Sequence, residues 1–217
     1  MKKIFVFLLT LIMVTCLFAC GKSSKDTEDK TTKNETTNKT IKEKSSTTKD
    51  DSKTEHKVLV VYFSATNTTQ GVAKKIADVL NADLYEIKPQ DPYTDEDIDY
   101  NNDKSRSTVE MNDPDARPAI AGSVKNMEQY KTVFLGYPIW WGEAPRILST
   151  FVESYDFSEK TMIPFCTSGG SGIGNSANKL KELTNGAKWL DGKRFEGNDS
   201  KKTIEKWTNS LKKNLDV

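Results

Sequence analysis

Four hydroxyl side chains and an amide crowd into six residues, Ser64-Ala65-Thr66-Asn67-Thr68-Thr69, directly after an apolar run and directly before a helix-patterned one. Hydroxyls beside the free N–H groups of a helix N-terminus form an anion site, and the positive end of the helix dipole favours negative charge there. No lysine or arginine lies between Phe63 and Val72, so this site would hold a phosphate with neutral donors. Asn67 tolerates the left-handed backbone that such a loop often needs. The alternative is a capped helix with a threonine-rich turn. Two further stretches carry chemical character. Pro138-Ile139-Trp140-Trp141-Gly142 places adjacent indoles after a second apolar run. Neighbours on extended backbone point to opposite sides, so the two rings do not share one core, and one is available to stack on a flat ligand. Thr167-Ser168-Gly169-Gly170-Ser171-Gly172 follows a third apolar run, and its glycines let backbone approach a ligand closely. Together the three stretches describe a pocket for a phosphate joined to an aromatic ring system.

The elements around them are strands and helices in alternation. Val58 to Phe63, Thr132 to Gly136 and Thr161 to Cys166 are continuous apolar runs, as expected of strands covered on both faces. Val72, Ile76, Val79 and Leu80 follow helical spacing. Leu84 to Lys88 reads as a short strand stopped by Pro89, and Pro145 suits the first turn of a helix that buries Ile147, Leu148, Phe151, Val152 and Tyr155. A helix over Ala177, Leu180 and Leu183, a strand over Ala187 to Leu190 and a last helix over Ile204, Trp207 and Leu211 complete the pattern. This β-α-β alternation calls for a doubly wound α/β sheet with helices on both faces. In such sheets ligands bind outside the carboxyl ends of the strands, which is where the three stretches fall. Pro164 removes a ladder donor from an inner strand, so a bulge or strand end is expected there. Gln90 to Gly122 is long, polar and broken by Pro92, Pro114 and Pro118, with a short helix expected near Ser105 to Met111.

The N-terminal part is organised differently. Met1 to Cys20 reads MKKIFVFLLTLIMVTCLFAC: two lysines, then an apolar stretch too short for a membrane span, the pattern of a secretory leader. It closes on Leu17-Phe18-Ala19-Cys20, which resembles the bacterial lipobox. Residues 1–19 are therefore read as a lipoprotein signal and Cys20 as the lipidated first residue of the mature chain. Residues 20–56 are read as a polar tether: among them Ile41 is the only large aliphatic residue and no aromatic occurs, too little apolar surface to offset ordering entropy. Residues 57–217 hold all four tryptophans and have the length of one domain. The whole chain carries a formal charge of +1, but Lys2 and Lys3 lie in the leader and the tether is lysine-rich, which leaves the domain slightly acidic and lends nothing to nucleic-acid binding. The single histidine, His56, stands at the tether's end and no metal-ligand cluster is evident. With Cys16 in the leader and Cys20 acylated, Cys166 has no intramolecular disulfide partner, and it is read as a small buried residue.

Taken together the motifs resemble the flavodoxins, in particular bacterial flavodoxin-like proteins with a GYPIWW loop. The resemblance rests on Ser64 to Thr69 against the family's S/T-x-T-G-x-T pattern, with Asn67 in place of the usual glycine. It extends through Gly136 to Gly142 and Thr167 to Gly172, and covers essentially all of the domain. It implies a three-layer αβα sandwich with a five-stranded parallel sheet of order 2-1-3-4-5, binding FMN. On matching positions, Ser64, Thr66, Asn67, Thr68 and Thr69 would bind the phosphate. Pro138, Ile139, Trp140, Trp141 and Gly142 would line one side of the ring, and Thr167, Ser168, Gly169, Gly170, Ser171 and Gly172 the other. Arg106, Glu110, Asn112 and Arg117 resemble recurrent features of this subfamily, and a structural salt bridge is the reading taken for them. The expected function is an electron carrier anchored through Cys20 to the outer face of the bacterial cytoplasmic membrane, meeting a transient redox protein or a small-molecule acceptor. The rival readings are an FMN-dependent NAD(P)H:quinone-type reductase and a flavin-free extracytoplasmic binding lipoprotein.

Overall fold

The computed structural model describes residues 57–215. The leader, Cys20, the tether and His56 lie outside the described residues. No helix among the described residues is long and apolar enough to cross a membrane.

The first apolar run becomes β1 (Lys57–Tyr62), and the periodic segment after it becomes α1 (Thr68–Leu80), which ends on Asn81 in the left-handed conformation. β2 (Asp83–Glu86) follows and is shorter than its apolar pattern suggests. Pro89 does not simply stop it. Lys88 and Pro89 form β3, which pairs antiparallel with β4 (Ile120–Ala121), and this pair closes the long middle segment at its base. Within that segment lie a 3-10 turn, Glu96–Ile98, and α2 (Arg106–Asn112), capped by the Ser105 side chain accepting from Thr108 N–H. Then come β5 (Tyr130–Pro138), α3 (Arg146–Glu153), β6 (Thr161–Thr167), α4 (Asn178–Leu183), β7 (Lys188–Trp189), β8 (Lys193–Phe195) and α5 (Lys201–Leu211).

The main sheet is parallel, in the order β2-β1-β5-β6-β7, with β8 also beside β6. Setting aside the β3–β4 pair, this is the expected 2-1-3-4-5 order. Alternation along each strand sorts the core into two layers. Leu59, Val61, Phe63, Val133, Leu135 and Met162 face α3 and α4, where they meet Ile147, Leu148, Phe151 and Leu180. Val60, Tyr62, Phe134, Ile163 and Phe165 face α1 and α5, where they meet Val72, Ile76, Ile204 and Trp207. Each such fully buried aliphatic side chain is worth about 1.5–3 kcal/mol relative to exposure.

Pro164 corrects one expectation. β6 neither bulges nor ends there; it runs unbroken from Thr161 to Thr167, in register with β5 through Leu135 opposite Pro164. The irregularity lies in the next strand. Met162 accepts from Leu190 N–H (2.9 Å), so the backbone groups of Met162 face the edge strand, and those of Pro164, two residues on, face it too. The edge strand breaks opposite the missing donor: β7 pairs as far as Met162 and β8 resumes at Phe165. Gly192 makes the passage possible, because a Cβ there would lie 2.5 Å from Pro164 O.

Candidate functional site

Strand register brings the three loops to one rim. Phe63 N–H, at the end of β1, donates to Gly136 O (3.0 Å), and Ile139 N–H, beyond β5, donates to Thr167 O (2.9 Å). The Thr69 hydroxyl, in the first turn of α1, lies 2.8 Å from the Thr167 hydroxyl, and both are buried. The first and third loops are thus tied by a side-chain bond across ninety-eight positions of sequence.

The first loop has the form of an anion cradle. Asn67 takes the left-handed conformation (φ 63°) immediately before α1, its side chain does not cap the helix, and no acidic residue stands in the first turn. Among the described residues no acceptor takes up the backbone N–H groups of Asn67, Thr68 or Thr69; the first helical amide to find one is Gly71 N–H, which bonds Asn67 O (3.1 Å). Thr66 and Thr68 carry exposed hydroxyls 3.2 Å apart. Ser64 is half-buried at the exit of β1. Hydroxyls and unclaimed amides, with no carboxylate among them, suit a phosphate dianion. The segment 197–199 walls one flank: Gly197 packs against Thr68, where a Cβ would come within 2.8 Å of the threonine methyl. Lys75, just below, spends its ammonium on Asp199 O (2.8 Å) and Gly197 O (3.4 Å), so the donors at the cradle itself are neutral, as expected.

The second loop differs from the extended stretch expected. Trp140 and Glu143 exchange both backbone bonds (3.0 and 2.9 Å), and Trp141 (φ 46°) and Gly142 (φ 82°) are both left-handed. This two-residue turn with positive φ at both centres is the tight hairpin pattern. The turn, not strand alternation, separates the indoles. Trp140 is 3% exposed and meets Phe63 edge-on at 5.6 Å and Tyr93 at 5.2 Å, whereas Trp141 is 42% exposed. Trp141 is the ring available for stacking, and Tyr100, 56% exposed, lies against it at 4.7 Å.

Arg146 fixes this hairpin and was not legible in the sequence. It is buried, and its Nη1 meets the Glu143 carboxylate (2.6 Å) while Nε and Nη2 donate to Asp113 O (3.1 Å) and Met111 O (2.7 Å). The middle segment is therefore bolted to the second loop. Its other ions behave structurally, as read: Arg106 pairs with Glu110 (2.7 Å) and sits 4.0 Å over the Tyr93 ring, and Arg117 pairs with Glu153 (2.6 Å). The bond from Arg117 holds the Glu153 carboxyl below its ordinary range. Burial, then the bond to Glu110, raises the Tyr93 phenol far above its usual value. Asn112 is exposed at the end of α2.

The third loop begins where Thr167 ends β6. Ser168 is half-buried, and Gly169, Gly170, Ser171 and Gly172 are exposed, with open space where each glycine's Cβ would be. The Ser168 hydroxyl closes the turn onto Ser171 O. Arg194 on β8, also missed in the sequence, donates from Nε to Ser168 Oγ (3.2 Å) and from Nη2 to Ser168 O (3.0 Å). Farther on, Ala144 N–H donates to Ser176 O (3.2 Å) and the Tyr137 hydroxyl lies 3.0 Å from Ser176 Oγ, joining the second and third loops at their bases. Cys166 is fully buried under this rim, and burial pushes its thiol up to about 12, with Arg194 pulling the other way.

A doubly wound sheet with an exposed indole and a glycine loop at its carboxyl edge defines an α/β protein of the open-sheet class, in which ligand sites lie outside the carboxyl ends of the strands. A profile of the family described as Flavodoxin matches residues 57–211, and the chain belongs to that family. Among solved structures, a provisionally assigned flavoprotein from Bacteroides eggerthii is 48% identical, with 72% of this chain and 98% of that chain covered and a TM-score of 0.68. Another from Bacteroides uniformis is 43% identical, covering 70% and 97%, also with a TM-score of 0.68. A flavoprotein from Lactobacillus acidophilus in complex with FMN is 19% identical, covers 70% and 99%, and has a TM-score of 0.53, a likeness of fold. No curated protein sequence matches the chain.

Proposed function

We propose that this protein is an FMN-binding electron carrier held at the outer face of the bacterial cytoplasmic membrane by a lipid on Cys20. The observation that carries the cofactor reading is the seam at Thr167, whose hydroxyl meets Thr69 and whose carbonyl accepts from Ile139 N–H. That seam joins the first loop, the end of β5 and the third loop at their bases, and so supports a reading in which the amide cradle, the exposed Trp141 and the glycine loop serve one ligand. FMN, once bound, supplies one- and two-electron redox chemistry. Ser64, Thr66, Asn67, Thr68 and Thr69 hold its phosphate through hydroxyls and amides. Pro138 to Gly142, with Trp141 outermost, cover one side of the ring, and Thr167 to Gly172 cover the other. Exclusion of bulk water by these two walls raises the cost of added negative charge on the ring. Two arginines at the rim are engaged in structural bonds, Arg146 with Glu143 and Arg194 with Ser168, and Cys166 is buried beneath them as a thiol. That arrangement suits a carrier, which needs an exposed cofactor edge.

The test is direct. The purified chain should be yellow, with a flavin absorption spectrum, and should release FMN on denaturation. Rapid mixing with NADPH separates the carrier from an NAD(P)H-dependent reductase: slow or no bleaching of bound flavin supports the carrier, and rapid bleaching replaces it with the enzyme. A colourless chain that does not take up added FMN refutes both. Membrane attachment is tested by labelling with a fatty-acid analogue, which Cys20→Ala abolishes if Cys20 is the acylated residue.

A further inference from the structure

Between Thr167 and Ile173 the third loop has few ties to the rest of the protein. Gly169, Gly170 and Gly172 face open space, and the turn is closed internally by Ser168 onto Ser171. Among the described residues, the side-chain bonds that reach this stretch from another element come from Arg194. Its stem is fixed, because Arg194 stands opposite buried Cys166 in the β6–β8 register and is followed by fully buried Phe195. Its planar fork takes both the hydroxyl and the carbonyl of one residue, Ser168, a geometry that guanidinium matches and ammonium does not. A carbonyl so held fixes the plane of the Ser168–Gly169 peptide. In a trans peptide the Gly169 N–H then points away from Arg194. Nη1 reaches Glu196 at 3.3 Å, a pair exposed enough to contribute little.

We infer that Arg194 is the positioning residue of the cofactor's ring site: it sets the third loop against the flavin ring and has no part in holding the phosphate. This rests on the FMN reading above. The two functions separate because the cradle belongs to the first loop and α1, whereas the bonds of Arg194 end on Ser168. Riboflavin, which has the ring but no phosphate, distinguishes them.

The experiment measures dissociation constants of FMN and of riboflavin for the full chain and its variants, by quenching of flavin fluorescence, with thermal midpoints recorded alongside. Arg194→Gln weakens FMN and riboflavin by the same factor, roughly tenfold for the loss of charge-assisted bonds to a loop otherwise free. Arg194→Lys recovers part of that loss. Thr66→Ala with Thr68→Ala, whose exposed hydroxyls bond only each other, in contrast weakens FMN and leaves riboflavin nearly unchanged. If Arg194→Gln does not fold, Ser168→Ala, which removes one of the two acceptors, gives the same parallel loss. Weakening of FMN alone in the Arg194 variants, or unchanged affinity for both flavins, overturns the role of Arg194 while leaving FMN binding in place. A wild-type chain that binds neither flavin refutes the cofactor reading and this role with it.

Discussion

Replacing Thr69 by valine probes the seam between the first and third loops. Valine keeps the shape of threonine and removes the hydroxyl that lies 2.8 Å from Thr167 Oγ1. Both groups are buried, Thr69 at 1% and Thr167 at 4% exposure, so solvent does not replace the lost partner. A buried hydroxyl left alone costs about 1–3 kcal/mol, and the same holds for Thr167→Val. Replacing both partners by apolar groups of the same shape is nearly neutral. The double variant should therefore be more stable than the two single losses predict, by a coupling energy that approaches their sum, about 2 kcal/mol or more. Urea unfolding of the flavin-free protein reads this out. With a slope of about 1–3 kcal/mol per molar, each single substitution lowers the midpoint by roughly 0.5–1 M, and the double recovers much of the shift. Single losses that add to within about 0.5 kcal/mol mean that the two hydroxyls do not meet, and the loops are not joined there.

Other expectations follow from individual residues. Gly136→Ala drives a methyl to 2.1 Å from the buried Phe165 ring, so it should cost about 3 kcal/mol or more, or abolish soluble expression; a stability change under about 0.5 kcal/mol contradicts the packing. Asn67→Gly should hold or raise stability, while Asn67→Ala should lose about 1–2 kcal/mol to the left-handed backbone, compared by thermal melting. Trp141→Ala should relieve most quenching of bound flavin at little cost in stability, whereas Trp140→Ala should cost about 3–5 kcal/mol; the reverse pattern would exchange their roles. Burial raises the folded Cys166 thiol from about 9 to about 12, so its stabilising contribution is complete below pH 9 and is lost as pH rises towards 12. The slope from this group reaches about 1.4 kcal/mol per pH unit, and Cys166→Ala should remove that share from an alkaline stability profile.

The sequence was most legible where one segment carries its own reason. The three apolar runs could only be covered strands, and alternation within them divides the core into its two layers. Asn67 was readable because left-handed backbone before a helix admits few residue types. Pro164 was readable as a problem but not as a solution, since the accommodation lies in the neighbouring strand at Gly192. β8 was missed for the same reason: three residues of mixed polarity show no period, and β6 alone makes them a strand. Trp140-Trp141-Gly142-Glu143 carried a turn signal in Gly142, yet a tryptophan at positive φ is rare enough that extended backbone was the natural reading. Arg146 and Arg194 left no signal. Their main partners are backbone oxygens of Met111, Asp113 and Ser168, which any residue type supplies.

The measurement that bears most directly on the site is hydrogen exchange along the chain with and without saturating FMN. Amides of residues 64–70, 139–142 and 167–172 should gain protection together and at the same FMN concentration, with Asn67, Thr68 and Thr69 showing the largest change. Protection confined to one of these segments, or appearing elsewhere while all three stay unchanged, would show that they do not hold a common ligand.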